Sequence, residues 1–246
     1  MNKSALVLGG TSGLGLKSAI ELASRGFDLC IAGRDPERLE NAVQAVTSET
    51  GKPIRGFAVD AASSDSVNLI RAEVGEYLDA LVICVGSGRP VNSGTLAGDL
   101  NASLQKNFIP ILNAWDAVCE PLKQSNGSAV IVSSIAGIED LGAPVEYSLS
   151  KSLIAPFVRL VARRTPEVRV NAIAPGNILT ESSAWSIRKS EDPDALERFL
   201  HDNVPLSRLS SPEEIAVLVS DMASGRFPFM TGTTVVIDGG QTRCLW

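Results

Sequence analysis

Seven short runs rich in β-branched or otherwise apolar residues recur along the chain, at Ser4–Leu8, Asp28–Ala32, Ile54–Val59, Ala80–Val85, Ala129–Val132, Val168–Ile173 and Thr233–Ile237. They do not alternate between apolar and polar residues, which predicts strands buried on both faces. Between them lie longer segments with apolar residues at helical spacing: Leu14–Arg25, Pro36–Glu49, Ser66–Glu76 and Pro212–Met222. Pro36 and Pro212 follow Asp35 and Ser211, so each of these two helices opens with a capping residue and then a proline. Alternating strands and helices predict an α/β fold with a doubly wound, seven-stranded parallel sheet and helices on both faces. No low-complexity linker divides the chain, so a single domain over residues 1–246 is expected. One long irregular stretch begins at Asn177 and runs to about Pro193. Loops of that length are commonly lids or binding loops, and a substrate loop is expected over about 177–203.

Composition narrows the chemistry. The single histidine, His201, is too few for a metal site built on two or three imidazoles. A serine-histidine-aspartate triad would have to use that one residue, and no metal site is expected. The four cysteines, Cys30, Cys84, Cys119 and Cys244, have no C-x-x-C spacing and are expected to be reduced thiols. A net charge of −6 argues against a nucleic-acid surface. The first apolar run is too short for a signal peptide and none is long enough to span a bilayer, so a cytoplasmic protein with no membrane partner is expected.

The first strand is followed by Leu8-Gly9-Gly10-Thr11-Ser12-Gly13-Leu14-Gly15 and then by the first helical segment. In a Rossmann fold such a turn lets backbone approach a pyrophosphate, with the helix amino terminus facing the phosphates. The strand before and the helix after supply the context that the motif requires. The second strand ends in Gly33-Arg34, where an acid would bind a ribose 2′-hydroxyl and an arginine would accept a 2′-phosphate. Arg34 therefore favours NADP(H) over NAD(H). The competing reading makes Arg34 a solvated loop residue, with Asp35 beside it.

One of the two tyrosines lies in Tyr147-Ser-Leu-Ser-Lys151. Helical spacing puts Lys151 on the face of Tyr147, and a nearby cation lowers a phenol pKa that starts near 10. Ser133-Ser134 ends the fifth strand, at the carboxyl edge where ligands of open α/β sheets bind.

With these residues in order, the chain strongly resembles the short-chain dehydrogenase/reductase family in its compact form. By overall pattern it is most similar to the 3-oxoacyl-carrier-protein reductase-like members. The resemblance covers essentially the whole chain. Leu8–Gly15 is similar to the family's T-G-x-x-x-G-x-G, with leucine for threonine. Asp60 with Ala61 matches the aspartate that holds the adenine, Asn107 the helical asparagine, Ser134 the serine, and Tyr147 with Lys151 the central pair. Pro175-Gly176-Asn-Ile178-Leu-Thr180 matches the segment that cradles the nicotinamide, and Asp238-Gly239-Gly240 the end of the last strand. The resemblance implies hydride transfer between a nicotinamide and a carbonyl or alcohol carbon. Tyr147 would act as general acid or base, Ser134 would orient the substrate oxygen, Lys151 would hold the ribose hydroxyls, and Asn107 would position a water. Pro110 lacks an N–H and would leave the Lys106 carbonyl unpaired, kinking the chain beside Asn107 unless it starts a second helix.

The chain departs from the family at Ile83-Cys84-Val85-Gly86, where Asn-Asn-Ala-Gly is usual. Gly86 still allows close approach of backbone, so cofactor binding is expected to survive. Pro156 interrupts the helix that begins at Tyr147, in a region that builds the subunit interface of relatives; a homodimer or homotetramer is expected. Ile135, Leu141, Val145, Asn177 and the stretch around Trp185 are expected to line an apolar cleft. Arg159, Arg163, Arg164 and Arg169 could meet an acidic carrier protein or merely complement a helix carboxyl terminus. An NADP(H)-dependent oxidoreductase acting on a carbonyl or hydroxyl compound, such as a 3-oxoacyl thioester that could be carrier-linked, is the leading expectation. An alcohol, steroid or sugar dehydrogenase of the same family is the alternative. A dinucleotide-binding sensor or scaffold without turnover is the alternative from another class.

Overall fold

The computed structural model describes residues 3–181 and 183–244; Ser182, inside the expected substrate loop, lies outside them. Its seven strands are β1 (Ser4–Leu8), β2 (Asp28–Gly33), β3 (Arg55–Ala58), β4 (Ala80–Ile83), β5 (Ser128–Val132), β6 (Arg169–Pro175) and β7 (Thr234–Ile237). All neighbouring pairs are parallel, in the order β3-β2-β1-β4-β5-β6-β7. The order reverses direction between β1 and β4, so the crevice outside their carboxyl ends is the natural ligand site of this topology.

The inner strands are continuously buried, as their composition predicts. The edges differ: only Phe57 of β3 is buried, and all of β7 is half-buried. An edge strand has a neighbour on one side only, so an apolar run there need not be covered. One side of the sheet packs on α1 (Gly13–Ser24), α2 (Pro36–Thr50) and α10 (Pro212–Ala223). The other packs on α3 (Ser66–Val74), α5 (Ile109–Gln124) and α7 (Ile154–Arg164).

Local chemistry sets the helix ends. Asp35 caps α2 by accepting from Glu37 N at 3.0 Å and Arg38 N at 3.1 Å. Ser211 and Glu214 cap α10 reciprocally, Ser211 N to Glu214 Oε2 at 2.9 Å and Glu214 N to Ser211 Oγ at 3.3 Å. The long segment around Asn107 is broken: α4 (Leu96–Asn107) ends where Phe108 leaves helical geometry (φ −129°, ψ −45°), and Pro110 occupies the first turn of α5. The segment of Tyr147 divides likewise into α6 (Val145–Ser152) and α7, with Pro156 in the first turn of the latter. Each proline removes a helical donor, and each break falls at the carboxyl edge of the helix that precedes it.

The stretch after β6 corrects the expectation of an irregular loop. It holds α8 (Ala184–Glu191) and α9 (Pro193–Asn203), capped by Ser183 and Asp192. Trp185 stacks on Phe199 with ring centroids 5.3 Å apart and packs with Leu196, Leu200 and Val204. The segment thus carries a small core of its own.

Candidate active site

The glycine turn sits at the carboxyl end of β1. Gly9 N and Gly10 N donate to Ala32 O at 2.9 and 3.2 Å, folding the turn against β2. Gly9 has φ +81°, and a Cβ there would stand 2.6 Å from Cys84 O, so only glycine fits. Gly15 rests on the Gly9 carbonyl. Ser12 is exposed at the amino end of α1, Leu14 is buried, and the Thr11 methyl lies against Gly33. Gly13, at φ +50°, meets Thr180, since a Cβ on it would lie 3.3 Å from Thr180 Cγ2. The turn, the end of β2 and the segment after β6 therefore converge over the crevice. This bare backbone at a helix amino terminus fits a dinucleotide pyrophosphate.

Arg34 is exposed beside this turn. Asp35 is engaged as the α2 cap and with Arg38 Nε at 3.8 Å, so it does not compete for Arg34. Asp60 follows β3 and accepts from Ala62 N at 3.1 Å, while Asn113 of α5 donates to the Ala61 carbonyl at 2.9 Å. Cys84, at the position of a missing asparagine, keeps the sheet's main-chain link through Cys84 N to Leu8 O at 2.8 Å. Burial pushes its thiol up to about 12, so it is a neutral packing group.

At the carboxyl end of β5, Ser134 caps a single 3-10 turn (Ile135–Gly137), its Oγ accepting from Ala136 N at 3.2 Å. The Ser134 side chain faces Tyr147 and acts to lower its phenol. Lys151 is 4% exposed and donates to the Val132 carbonyl at 3.1 Å. Gly137 lies on the Lys151 main chain, where a Cβ would come within 2.6 Å of its carbonyl carbon. Asn107 Oδ1 accepts from Ser87 N at 2.9 Å, and its Nδ2 donates to Ser103 O at 3.0 Å. Gly86, at φ +129°, lies between Asn107 and Lys151: a side chain there would strike the Asn107 amide and stand 3.2 Å from Lys151 Nζ. Asn107, Ser134, Tyr147, Lys151 and Gly86 thus form one cluster.

The electrostatics correct one expectation. Burial raises the Tyr147 phenol, and the Ser134 hydrogen bond offsets this only in part. Lys151 is itself dehydrated, and burial lowers it from 10.5 to about 8. Spacing places the cation on the right helix face but cannot show that both groups lose their water.

Pro175 closes β6, and Gly176 packs so tightly on Asp238 that a Cβ would lie 2.8 Å from its Cα. Ile178 pairs with Ser210, and Leu179 N donates to Ser210 O at 2.9 Å, fixing the path toward Thr180. A cavity of about 190 Å³ opens beside Asn177, bounded by Val204, Leu206, Ile215, Ile237 and Gln241. Val145, expected in the cleft, is 57% exposed, and Trp185 belongs to the α8–α9 core. The arginine cluster lies elsewhere. Arg163 and Arg164 end α7 and Arg169 begins β6, at the amino edge of the sheet, opposite the carboxyl edge that holds Ser134. His201 is a surface residue of α9, its side chain 81% exposed.

Several supporting residues carry no local motif. Glu146, 6% exposed, accepts from Val91 N at 3.1 Å and so fixes the segment after β4 beside Tyr147. Ser103 and Ser150, joined at 2.9 Å, tie α4 to α6. Each acts across more than forty residues of chain, beyond the reach of any spacing rule.

Comparison with known proteins agrees with this geometry. Residues 9–242 match a family described as enoyl-(acyl carrier protein) reductase. The chain is 30% identical to the 3-oxoacyl-[acyl-carrier-protein] reductase FabG of Chlamydia muridarum over 98% of both chains. It is also 30% identical to a cyclohexanol dehydrogenase of Rhodococcus over 98% of this chain and 96% of that one. The L-sorbose reductase of Gluconobacter frateurii, solved with NADPH and L-sorbose, shares the fold with a TM-score of 0.89 at 24% identity, covering 99% of this chain and 98% of that one. With the glycine turn, the strand order and the Ser134–Tyr147–Lys151 cluster in place, the chain belongs to the short-chain dehydrogenase/reductase family, NAD(P)-dependent oxidoreductases that act on CH–OH groups.

Proposed function

We propose that this protein is an NADP(H)-dependent carbonyl reductase, with 3-oxoacyl thioesters as its substrate class. The observation that carries the reading is the pair of hydroxyls, Ser134 acting on the Tyr147 phenol, beside a buried Lys151. Simple dinucleotide binding requires no such pair. Gly9, Thr11, Ser12, Gly13, Leu14 and Gly15 would hold the pyrophosphate, Arg34 the 2′-phosphate, and Asp60 with Ala61 the adenine. Gly86, Pro175, Gly176, Ile178 and Thr180 would border the nicotinamide half. When bound, the nicotinamide supplies or accepts the hydride.

The chain's own residues handle the proton and the orientation. Ser134 holds the substrate oxygen, and Tyr147 gives its phenolic proton to that oxygen in reduction or takes it in oxidation. The raised phenol pKa keeps Tyr147 protonated, the state that reduction needs. Lys151 below about pH 8 is an ammonium beside Tyr147 and would hold the ribose hydroxyls. Asn107 anchors the segment after β4 through Ser87, and the helix break beside it leaves main-chain carbonyls to bind a water.

The likeness to a 3-oxoacyl-carrier-protein reductase supports the thioester, but the position of the arginines gives carrier docking no support. Equal likeness to a cyclohexanol dehydrogenase supports a second reading, oxidation of a cyclic or secondary alcohol. A spectrophotometric panel separates them: 3-oxoacyl thioesters, free and carrier-linked, ketones and alcohols, each with NADP(H) and NAD(H). Reduction of free 3-oxoacyl thioesters with NADPH is expected. Turnover of alcohols alone, or a preference for NADH, would overturn the proposal.

A further inference from the structure

The chain does not leave the molecule after β7. Asp238 binds the turn that follows, accepting from Gly240 N at 2.9 Å and Thr242 N at 2.7 Å. Gln241 is 6% exposed, and its Oε1 accepts from Asn177 Nδ2 at 2.8 Å, just beyond β6. Two residues later, one oxygen of Glu139 accepts from Arg243 N at 2.8 Å, Cys244 N at 3.2 Å and Cys244 Sγ at 3.1 Å. Glu139 lies between Ser134 and Tyr147, on the segment that leaves β5. The strands stand in the order β5-β6-β7. The anchors therefore step back from β7 over β6 to β5, about two strand spacings or 10 Å. Residues 241–244 form a strap across the carboxyl edge of the sheet, outside which ligands of this fold bind.

We propose that Glu139 is a positioning residue that latches this strap in place, so that residues 241–244 form a fixed wall of the substrate cleft. The identity of the cleft rests on the reductase reading; the latch does not. A carboxylate oxygen that gathers two consecutive main-chain N–H groups is a chain anchor, because it fixes direction as well as position. The Cys244 thiol and then the Arg243 N–H hold the Glu139 carboxyl below its usual range, which keeps the acceptor ionised. The second anchor, Asn177 to Gln241, ties the strap to the segment after β6, so release at Glu139 frees only the outer end. The wall limits the bulk of substrate accepted on the β5–β6 side.

The test uses the full chain and three variants, Glu139→Ala, Glu139→Gln and Arg243→Pro, the last removing one donor and leaving Glu139. Hydrogen exchange of the carboxyl-terminal peptide reads the latch. About tenfold faster exchange is expected in Glu139→Ala, a smaller increase in Glu139→Gln, and little further change when Glu139→Ala is combined with Arg243→Pro. Steady-state kinetics on 3-oxoacyl thioesters of increasing chain branching read the wall. KM for the unbranched substrate is expected to rise about threefold to tenfold with kcat within about twofold, while bulky substrates gain in relative kcat/KM. Unchanged exchange in Glu139→Ala would overturn the latch. Faster exchange with small and bulky substrates affected alike would overturn the wall. Exchange decides the latch even where the wild-type protein reduces none of the panel, an outcome that counts against the reductase reading instead.

Discussion

In the proposed reaction, Tyr147, Ser134 and Lys151 are set apart by their surroundings. The phenol is raised by burial, which Ser134 offsets only in part, and the ammonium is lowered to about 8 by burial. Tyr147→Phe removes the transferable proton and keeps the ring, so turnover is expected to fall by about 10²- to 10⁴-fold while NADPH binding, read by fluorescence titration, stays within about twofold. Lys151 is charged below about pH 8 and loses its charge as pH rises through that value. The kcat/KM for reduction should therefore decline above about pH 8, whereas a profile flat to pH 10 would remove the need for the cation. For stability the sign is the same as for any depressed group. The unfolded chain holds the extra proton between about 8 and 10.5, so the Lys151 contribution rises with pH across that window and is lost as pH falls through about 8. Arg34, with Asp35 committed to α2, is free to read a 2′-phosphate. Arg34→Ala is expected to raise the NADPH dissociation constant about tenfold or more and to leave NADH nearly unchanged. Equal effects on both would make Arg34 a solvated loop residue.

Among the elements, helix starts were the most legible. Asp35-Pro36 and Ser211-Pro212 open α2 and α10 where the capping chemistry predicts, because a cap needs only residues within one turn. The α10 helix buries Ile215, Ala216, Val219 and Met222 against the sheet, so loss of its cap should be felt by the whole fold. Ser211→Ala is expected to cost about 1 kcal/mol, read from the denaturation midpoint at unchanged m-value. The strands were predicted within one or two residues, apart from the edge exposure of β3 and β7. The helices α8 and α9 were missed because they are short, largely exposed and rich in polar residues, so their apolar side chains pack on each other instead of forming a long periodic stripe. The helix breaks at Phe108 and Leu153 were only half legible: proline announces a missing donor, but neighbouring elements decide where the chain yields.

For the whole molecule, the sheet order brings residues from β1, β2, β4, β5 and β6 to one edge, and that assembly makes a site from motifs spread over most of the chain. The same view leaves Leu96 of α4, Val145 and Leu149 of α6, Leu153 at the junction of α6 and α7, and Leu160 of α7 between 40% and 60% exposed. Val145, Leu149 and Leu153 are spaced four apart, an apolar row at the surface. A homodimer or homotetramer would cover this row, and light scattering at micromolar concentration is expected to give at least twice the mass of one chain. A monomer would overturn that expectation. No helix among the described residues is long and apolar enough to cross a membrane.

Sequence alone established the alternation of seven strands with helices, the glycine turn, the Tyr147–Lys151 spacing and the presence of a single histidine. Each of these is written in residues close together in the chain, or in a count over all of it. Folding decided what depends on distant residues: the dehydration of Tyr147 and Lys151, and the fixing of the segment after β4 by Asn107 and Glu146. It also moved the arginines to the far edge of the sheet and brought the chain back from β7 to Glu139. A pKa direction, a buried contact and a latch between positions 139 and 243 arise only once water is excluded and strands are laid side by side. Local chemistry therefore foretold which groups are present, and three-dimensional packing determined their charge state, their orientation and their reach.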